Sequence, residues 1–471
     1  MSSEQADPVQ KPVAQALRPG TVPECHAVIQ ALSGQIAALQ EQLTLLQERV
    51  SLNSRNSSKP PSSDGPGSPR KPRPGSGRSR GAQPGHKGHF RELLDAAQVD
   101  AVQDCLPPSH CPCGGAVQVS GQPLRHQVFD LPAQIRPDIL EYQLYGGVCA
   151  HCKTRHLARL PEGVPRSQIG PRALALIGVL GTQFHLTQHK IRDLLARLLG
   201  VDFSLGAISA AHGKVAAALH TPVRQAVGSL AQAAVLHLDE TRYPREGSSP
   251  HWVWACVQPR LVTFSIVPSR ARYVFTSLVG ERPAGIVVSD RYAAYGHLEP
   301  TRRQVCWAHL LRDFERMGQR TGAAGRVGRR LLGLGCVLFR WRDRGVRPQA
   351  FERLQRRVHR ALQQGLESGC RRTAATCANV LKLEAALWTF TREAGVEPTN
   401  NAAEQALRVV VLKRKISGPV RSRRGADFIA NGYSVMLSCQ RQGRDLLGYI
   451  NEAVLAWINK TAPPSLMPLT G

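Results

Sequence analysis

Apolar residues recur with a seven-residue period near the start of the chain. They lie alternately three and four positions apart, with mainly β-branched residues at the first site of the repeat and leucine at the second. This pattern favours a parallel two-stranded coiled coil. The alternative is an amphipathic helix packed on its own domain, but the proline-rich stretch that follows offers no adjacent core. We therefore predict a coiled coil over residues 23–53. Its seam consists of Ile29, Leu32, Ile36, Leu39, Leu43, Leu46 and Val50.

Polar stretches flank this repeat on both sides. Residues 1–22 are polar with several prolines, which predicts disorder. Residues 54–92 form a linker rich in Ser, Pro and Gly, with no acidic residue between Asp64 and Glu92. A basic flexible strand can follow a phosphate backbone, although a solvated spacer has the same composition. The candidate DNA contacts in the linker are Arg70, Lys71, Arg73, Arg78, Arg80 and Lys87.

Four of the five cysteines in residues 93–165 form two close pairs, as in a metal site. Cys149 and Cys152 are separated by two residues, as in a zinc knuckle. Cys111 and Cys113 are separated by only one, whereas His110 to Cys113 restores the usual spacing. We predict a small zinc-finger-like domain with one structural Zn²⁺, held by Cys113, Cys149, Cys152 and either Cys111 or His110. Hairpin strands at 127–131 and 139–144 would fill the gap, and loss of the metal is the alternative.

The pattern becomes helical over residues 166–225. Thr187 and Ser204 stand at candidate helix starts, and Gly200 lies between the two apolar segments. Two helices joined by a short glycine turn are compatible with a helix-turn-helix that binds DNA. Most helix pairs serve only as structural support, so the pattern alone does not establish DNA binding.

Two strand-like apolar runs each end in an aspartate. Residues 234–238 (AVLHL) precede Asp239, and residues 285–289 (GIVVS) precede Asp290. A third carboxylate, Glu404, follows Asn400 and Asn401, either of which can begin a helix. Strand ends and helix starts place short acidic side chains at one edge of a sheet, where ligands bind. Carboxylates of this kind hold the two Mg²⁺ or Mn²⁺ ions used in phosphodiester chemistry.

The charge of the chain points to a polyanionic partner. The 471 residues carry a formal net charge of +27, and basic side chains supply most non-specific affinity for nucleic acid. A ribosome-associated protein is the alternative. Near Glu404 the candidate DNA contacts are Arg408, Lys413 and Lys415. No apolar run suits a membrane span and no secretory signal begins the chain, which favours reduced cysteines and a cytoplasmic location.

Several motifs resemble the transposases of the bacterial insertion sequence 66 family. The matching stretches are NSSKPPSSDG (56–65), GAQPGHKG (81–88), the CPCGG and CAHC cluster, LDET (238–241), SDRYAAY (289–295), CWAHLLRDF (306–314) and NNAAEQALR (400–408). The resemblance implies a leucine zipper, a zinc-finger-like domain, a helical DNA-binding segment and a ribonuclease H-like core. It places the Asp-Asp-Glu triad on Asp239, Asp290 and Glu404.

The resulting fold is multidomain α/β. The core comprises residues 226–317 and 397–471, and a helical insertion at 318–396 accounts for the excess length of the 114-residue step from Asp290 to Glu404 (404 − 290 = 114). The expected partners are transposon-end and target DNA, a second copy or higher oligomer, and accessory proteins of the same element. The expected location is cytoplasmic, on the nucleoid when bound to DNA. The expected activity is DNA cleavage and strand transfer. The alternatives are a non-catalytic dimeric zinc DNA-binding protein and a nuclease without strand transfer.

Overall fold

The computed structural model describes residues 21–53, 56–57, 92–119, 121–132, 135–245, 247 and 250–468. The predicted disordered N-terminus, up to residue 20, and the six basic residues of the linker prediction lie outside this described part. The chain divides into two compact units. The first contains residues 144–191 and 204–471 together with the N-terminal 66 residues, and the second contains residues 67–143 and 192–203.

Helices dominate the described part of the chain. They are α1 (Val22–Val50), α2 (Pro171–Thr182), α3 (Gln188–Leu199), α4 (Leu205–Gly228), α5 (Arg272–Val279), α6 (Trp307–Gly318), α7 (Gly322–Asp343), α8 (Pro348–Leu366), α9 (Arg371–Leu381), α10 (Glu384–Leu387), α11 (Asn401–Ser417), α12 (Arg423–Gln442) and α13 (Leu446–Asn459). None of these described helices combines the length and the apolar content needed to cross a membrane.

A five-stranded mixed sheet forms the centre of the first unit. The strands are β3 (Val235–Arg242), β4 (Trp252–Val257), β5 (Val262–Val267), β6 (Ile286–Ser289) and β7 (Arg303–Val305), in the spatial order β5-β4-β3-β6-β7. β3 and β5 are antiparallel to β4, whereas β6 is parallel to both β3 and β7. A separate hairpin joins β1 (Gly146–Val148) and β2 (Arg155–Leu157).

The two faces of β3 have different neighbours because side chains alternate along a strand. Leu236 and Leu238 pack in one apolar cluster with Phe275 of α5. His237, on the opposite face, contacts Asn400 at the start of α11. Asp239 shares the face of His237, so the sequence itself directs this carboxylate towards α11.

The outer edge of the sheet is covered by α12. Ser434 and Ser438 are fully buried, and their hydroxyls accept hydrogen bonds from the backbone N–H groups of Phe264 (2.8 Å) and Val262 (3.0 Å). An exposed strand edge would otherwise present unpaired backbone groups to another chain. Two serines one helical turn apart on α12 therefore accept hydrogen bonds from backbone N–H groups of the edge strand β5.

The second helix of the predicted helix-turn-helix is a packing element. α4 buries Ile208, Ala211, His212 and Val215, and the His212 ring stacks on Phe428 of α12 with centroids 4.0 Å apart. Buried side chains cannot contact bases. The face of α4 that contains His212 therefore does not fit the predicted DNA-reading role, because it is occupied by α12.

The stretch predicted as an insertion folds into α7, α8, α9 and α10. Leu331, Leu334 and Leu338 of α7 are buried with Leu354 and Val358 of α8 in a second apolar cluster. The same cluster contains the buried face of α6. These helices thus have an apolar core of their own, which holds α6 in place.

Apart from residues 192–199, which belong to α3, the described residues of the second unit have little regular structure. They contain a 3-10 turn at Ala96–Gln98 and a bridge that pairs His110 with Ala116. The stretches 127–131 and 139–144, which we predicted as hairpin strands, are irregular in the structure, so that prediction was wrong. Val128 and Ile139 are more than four-fifths exposed, so no buried face fixes a strand register there.

Candidate functional site

β3 and β6 carry Asp239 and Asp290 to the same level of the sheet. Val235 pairs with Ile286, an offset of 286 − 235 = 51 residues. The same offset separates the two aspartates, since 290 − 239 = 51. Residues paired on neighbouring parallel strands share a face and lie about 5 Å apart. The last observed pair is His237 with Val288. Continued by two residues, the same register sets Asp239, within β3, beside Asp290, which directly follows β6.

Asn400 fixes the start of α11 above this pair. The Asn400 amide donates a 2.7 Å hydrogen bond to the carbonyl of Leu238, and its Oδ1 lies 3.2 Å from His237 Nδ1. Its backbone N–H donates to Cys306 Sγ at 3.2 Å. We predicted Asn400 or Asn401 as a helix cap. Asn400 does stand at the cap position, but its side chain binds β3, which places Glu404 one turn along α11 near Asp239.

The negative charges of Asp290 and Glu404 both act on Asp239. Burial raises the pKa of Asp239 well above its usual range, and the negative charges of Glu240, Asp290 and Glu404 raise it further. Burial also raises the pKa of Glu240 to about 7, against a hydrogen bond from Tyr295 that lowers it. An acidic site of this kind is stabilised by a bound cation.

The loop that carries Asp290 is held by a buried arginine. Arg303 donates to the backbone carbonyls of Asp290 (2.5 Å) and Tyr295 (2.9 Å). Asp290 Oδ1 in turn accepts a 2.8 Å hydrogen bond from the backbone of Tyr292. Burial lowers the pKa of Arg303 to about 10. Asp290 is therefore positioned by the backbone around it, and among the described residues its second carboxylate oxygen has no hydrogen-bond partner.

The polar face of α6 completes the site. His309, Arg312 and Arg316 are three and four residues apart, so they share one side of the helix, whereas Trp307, Leu310, Phe314 and Met317 are buried on the other. A cavity of about 290 Å³ opens beside them, with Asp290, Arg291 and Ser57 also in its lining. Asp313 forms ion pairs with both Arg291 and Arg316. The cavity is therefore lined by the carboxylate of Asp290 on one side and by the arginines of α6 on the other.

Our sequence analysis missed the α6 residues as members of the site. The motif CWAHLLRDF entered only as a family signature, yet its alternation of apolar and basic positions at helical spacing indicates a helix with one polar face. The spacing could have identified that face. It could not have shown what the face contacts, because Glu404 is 95 residues further along the chain (404 − 309 = 95).

Glu404 lies between a histidine and an arginine of α6. His309 Nδ1 is 3.6 Å from Glu404 Oε1, and Arg312 Nη2 is 3.6 Å from Glu404 Oε2. Among the described residues, one set of three metal-binding side chains has all its ligand atoms within 4.8 Å of one another, namely Cys306, His309 and Glu404. The full carboxylate triad is not as tightly grouped. Burial raises the pKa of the Cys306 thiol to about 11, which keeps it protonated.

The three basic residues predicted on α11 have different surroundings. Arg408 and Lys415 are exposed. Lys413 is buried, and its ammonium donates to the carbonyl of Leu186 at 2.7 Å. Burial lowers the pKa of Lys413 to about 8. The structure therefore contradicts a DNA contact at Lys413, which instead satisfies a backbone carbonyl inside the protein.

The two cysteine pairs lie in different units, and each forms a tight turn. In the first, Gly114 adopts a positive φ of 89°, and a backbone hydrogen bond from Gly115 lowers the pKa of Cys113. In the second, the Cys149 N–H donates to Thr154. A hydrogen bond with the Thr154 side chain lowers the pKa of Cys152 to about 7. Both turns favour the thiolate form that metals bind.

The fold and the site together indicate a class of enzyme. A mixed α/β core with carboxylates at one sheet edge, beside an arginine-lined cavity, is typical of enzymes that act on phosphate esters. The chain belongs to the Transposase IS66 family, whose sequence profile matches residues 166–428, more than half of its length. This confirms the resemblance seen in the motifs. Family membership gives the chain a transposase role and DNA as a partner.

Two further comparisons concern other parts and relatives of the chain. Residues 9–92, which include α1, match a family of unknown function, DUF6444. A protein of Sinorhizobium fredii described as Uncharacterized protein y4hP is 25% identical over 385 residues. The similarity covers 71% of this chain and 68% of that relative.

Proposed function

We propose that the chain cuts the ends of its insertion sequence and joins them to target DNA. The reaction takes place at Asp239, Asp290 and Glu404 on a ribonuclease H-like core. The observation that carries this proposal is the parallel pairing of β3 with β6, whose register, continued by two residues, sets Asp239 opposite Asp290. The negative charge of Glu404 also contributes to the raised pKa of Asp239. Three antiparallel strands followed by two parallel ones, with an acidic residue on β3 and another directly after β6, fit the ribonuclease H-like arrangement.

The three carboxylates on β3, after β6 and on α11, which we call the carboxylate edge, form a site that suits divalent cations. Asp239, Asp290 and Glu404 supply the oxygen ligands that Mg²⁺ or Mn²⁺ takes, and the repulsion among them favours cation binding. Two such ions, when bound, activate the attacking oxygen and stabilise the leaving oxygen in phosphodiester cleavage. Asn400 and Arg303 are positioning residues, because each ties the backbone near a carboxylate to a neighbouring element.

The arginines of the cavity bind the DNA strand. Arg312 and Arg316 lie on the same side of α6 as His309, and Arg291 follows Asp290 directly. Guanidinium groups recognise phosphate oxygens through paired hydrogen bonds. These side chains would hold the phosphate to be cut against Asp290. The exposed Arg408 and Lys415, together with the basic linker residues, would extend the contact along the backbone.

The N-terminal parts would bind metal and a second copy. The structural zinc ion predicted from the sequence stays a proposal, which the lowered pKa of Cys113 and of Cys152 supports, each within its own turn. A coiled coil through α1 would make the homodimer. Both proposals continue the sequence predictions, and the thiol surroundings support the first of them.

The test is cleavage and strand transfer with DNA that carries the terminal repeats flanking the gene. We expect Asp239→Asn, Asp290→Asn and Glu404→Gln each to lose at least about a hundredfold in cleavage, because each removes a ligand of a metal centre. Binding of the same DNA should survive, because the basic surface is unchanged. Glu352→Gln, an exposed carboxylate of α8, is the matched control and should leave both activities intact.

The products of the same assay separate the competing functions. Cleavage without joining would identify a nuclease that does not transfer strands. Binding without cleavage by the wild type, in Mg²⁺ and in Mn²⁺, would identify a non-catalytic DNA-binding protein. Near-normal cleavage by one of the three variants would remove that residue from the catalytic set.

A further inference from the structure

Two buried ligand atoms face each other beside the carboxylate edge. His309 Nδ1 and Glu404 Oε1 lie 3.6 Å apart. Within the part of the chain that the structure describes, neither atom has a hydrogen-bond partner, and both are inaccessible to solvent. The separation is too long for a hydrogen bond, and buried polar atoms without a partner are rare because they cost free energy. A third group that binds both atoms would remove that cost.

The spacing of the two atoms suits one cation. Ligand atoms bonded to the same ion at about 2.1 Å lie about 3.0 Å apart in an octahedral site and about 3.4 Å apart in a tetrahedral one. The observed 3.6 Å is slightly wider than both, so a small inward movement completes either geometry. Arg312 approaches the other carboxylate oxygen of Glu404, which leaves Oε1 directed at His309.

Cys306 is close to this pair but already has a partner. Its sulfur belongs to the same group of ligand atoms within 4.8 Å. However, it accepts the hydrogen bond from the backbone of Asn400, at 3.2 Å, and it is fully buried. The role of Cys306 is therefore to hold the start of α11, and the available ligand atoms are the nitrogen of His309 and the oxygen of Glu404.

We propose that His309 Nδ1, together with Glu404, is a ligand of one of the cations at the carboxylate edge; this inference rests on the proposed function of that edge. Mg²⁺ takes oxygen ligands, whereas imidazole nitrogen favours transition-metal ions. Mn²⁺ is the transition ion that oxygen-rich sites also accept. The site therefore prefers Mn²⁺ to Mg²⁺, and His309 is the residue that sets this preference.

Pulsed electron paramagnetic resonance of Mn²⁺ bound to the full-length chain tests the inference directly. A coordinated imidazole gives a ¹⁴N modulation of the Mn²⁺ echo, which carboxylate and water ligands do not give. Mn²⁺ is used as the probe because added Zn²⁺ would also bind at the two cysteine turns, whose thiolates favour zinc. We expect the modulation in the wild type and its loss in His309→Asn, which still binds Mn²⁺ through the carboxylates. The ratio of Mn²⁺ to Mg²⁺ affinity should fall about tenfold in that variant.

His359→Asn is the matched control. His359 Nδ1 also faces a glutamate, Glu384, but at 2.8 Å, as in a hydrogen bond or ion pair. Its removal should leave both the modulation and the affinity ratio unchanged. Circular dichroism should show the same helical content in both variants and in the wild type, so that loss of folding is recognised.

The outcomes separate this inference from the proposed function. If Mn²⁺ binds in an Asp239-dependent way but the wild type lacks the ¹⁴N modulation, the assignment of His309 is wrong and the carboxylate site stands. The assignment is also wrong if His309→Asn keeps the modulation. If the wild type binds no Mn²⁺, or Asp239→Asn binds it equally well, the carboxylate site itself is refuted, and the role of His309 with it.

Discussion

At the scale of single residues, Asn400 holds the candidate site together. Its side chain contacts the Leu238 carbonyl and His237 on β3, and its backbone N–H contacts Cys306. The side chain is fully buried. Because Glu404 follows one turn later, the position of the third carboxylate depends on this one amide.

We predict that Asn400→Ala lowers the free energy of unfolding by about 2 kcal/mol, because it leaves buried polar groups of β3 without their partner. Urea denaturation followed by circular dichroism measures this. Asn379→Ala, at an exposed site on α9, should change the free energy by less than about 0.5 kcal/mol. Equal effects of the two substitutions would show that the Asn400 contacts do not stabilise the fold.

Lys413 shows what sequence can reveal and what it cannot. The basic run around Lys413 and Lys415 indicated a DNA surface, and Lys415 is exposed. Lys413, however, follows Ala403, Ala406 and Val410 at helical spacing, on the buried face of α11. That periodicity was readable in advance. Its hydrogen bond with Leu186, 227 residues away, was not, because such contacts depend on the tertiary fold.

At the scale of elements, α4 shows how a sequence pattern can mislead. Two helices with a glycine between them fit a DNA-reading motif, yet α4 packs on α12 through His212 and its apolar neighbours. By contrast, the short apolar runs before Asp239 and Asp290 are β3 and β6, since apolar runs with a turn signal at the end are typical of buried strands. The heptad pattern likewise falls on one continuous helix, α1.

The packing of α4 predicts a specific pH dependence of stability. Burial lowers the pKa of His212 to about 3, and the charge of Lys413 adds to this effect. The unfolded state, with the ordinary pKa of 6.5, therefore binds a proton that the folded state does not. Stability due to His212 is present above pH 6.5 and is lost as the pH falls towards 3.

We predict that His212→Phe, which keeps a ring against Phe428, removes this acid sensitivity. The stability of the variant relative to the wild type should increase by roughly 3 kcal/mol between pH 7 and pH 4. Urea unfolding at several pH values measures the difference. His220→Phe, at an exposed site on the same helix, is the control. A difference that is constant with pH would show that His212 binds its proton equally well in the folded and the unfolded protein, contrary to the prediction.

At the scale of the whole molecule, α1 has two separate contact faces. Glu48 forms ion pairs with Arg320 and Arg372 of the helical insertion. In the heptad frame Glu48 lies opposite the seam, and every seam residue from Ile29 to Val50 is more than half exposed. One face of α1 can therefore contact the helical insertion while its apolar seam packs against a second copy of the chain.

We predict that Leu39→Lys converts a dimer of the full chain into a monomer, because a buried charge without a partner breaks the seam. Analytical ultracentrifugation measures the mass. Ala38→Lys adds the same charge at the neighbouring residue, which is not a seam position, and should leave the dimer intact. If both variants sediment as the wild type does, either the chain is monomeric or another surface joins the copies.

Three residues distant in sequence, Asp239, Asp290 and Glu404, hold one cation centre in the proposed mechanism. Fe²⁺ in place of Mg²⁺, with ascorbate and peroxide, generates radicals that cut the backbone next to the bound ion. We expect three clusters of cuts in the full-length chain, near Asp239, Asp290 and Glu404, all suppressed by excess Mg²⁺ and absent in Asp239→Asn. Cuts elsewhere that Mg²⁺ does not suppress, with none near these residues, would contradict the account.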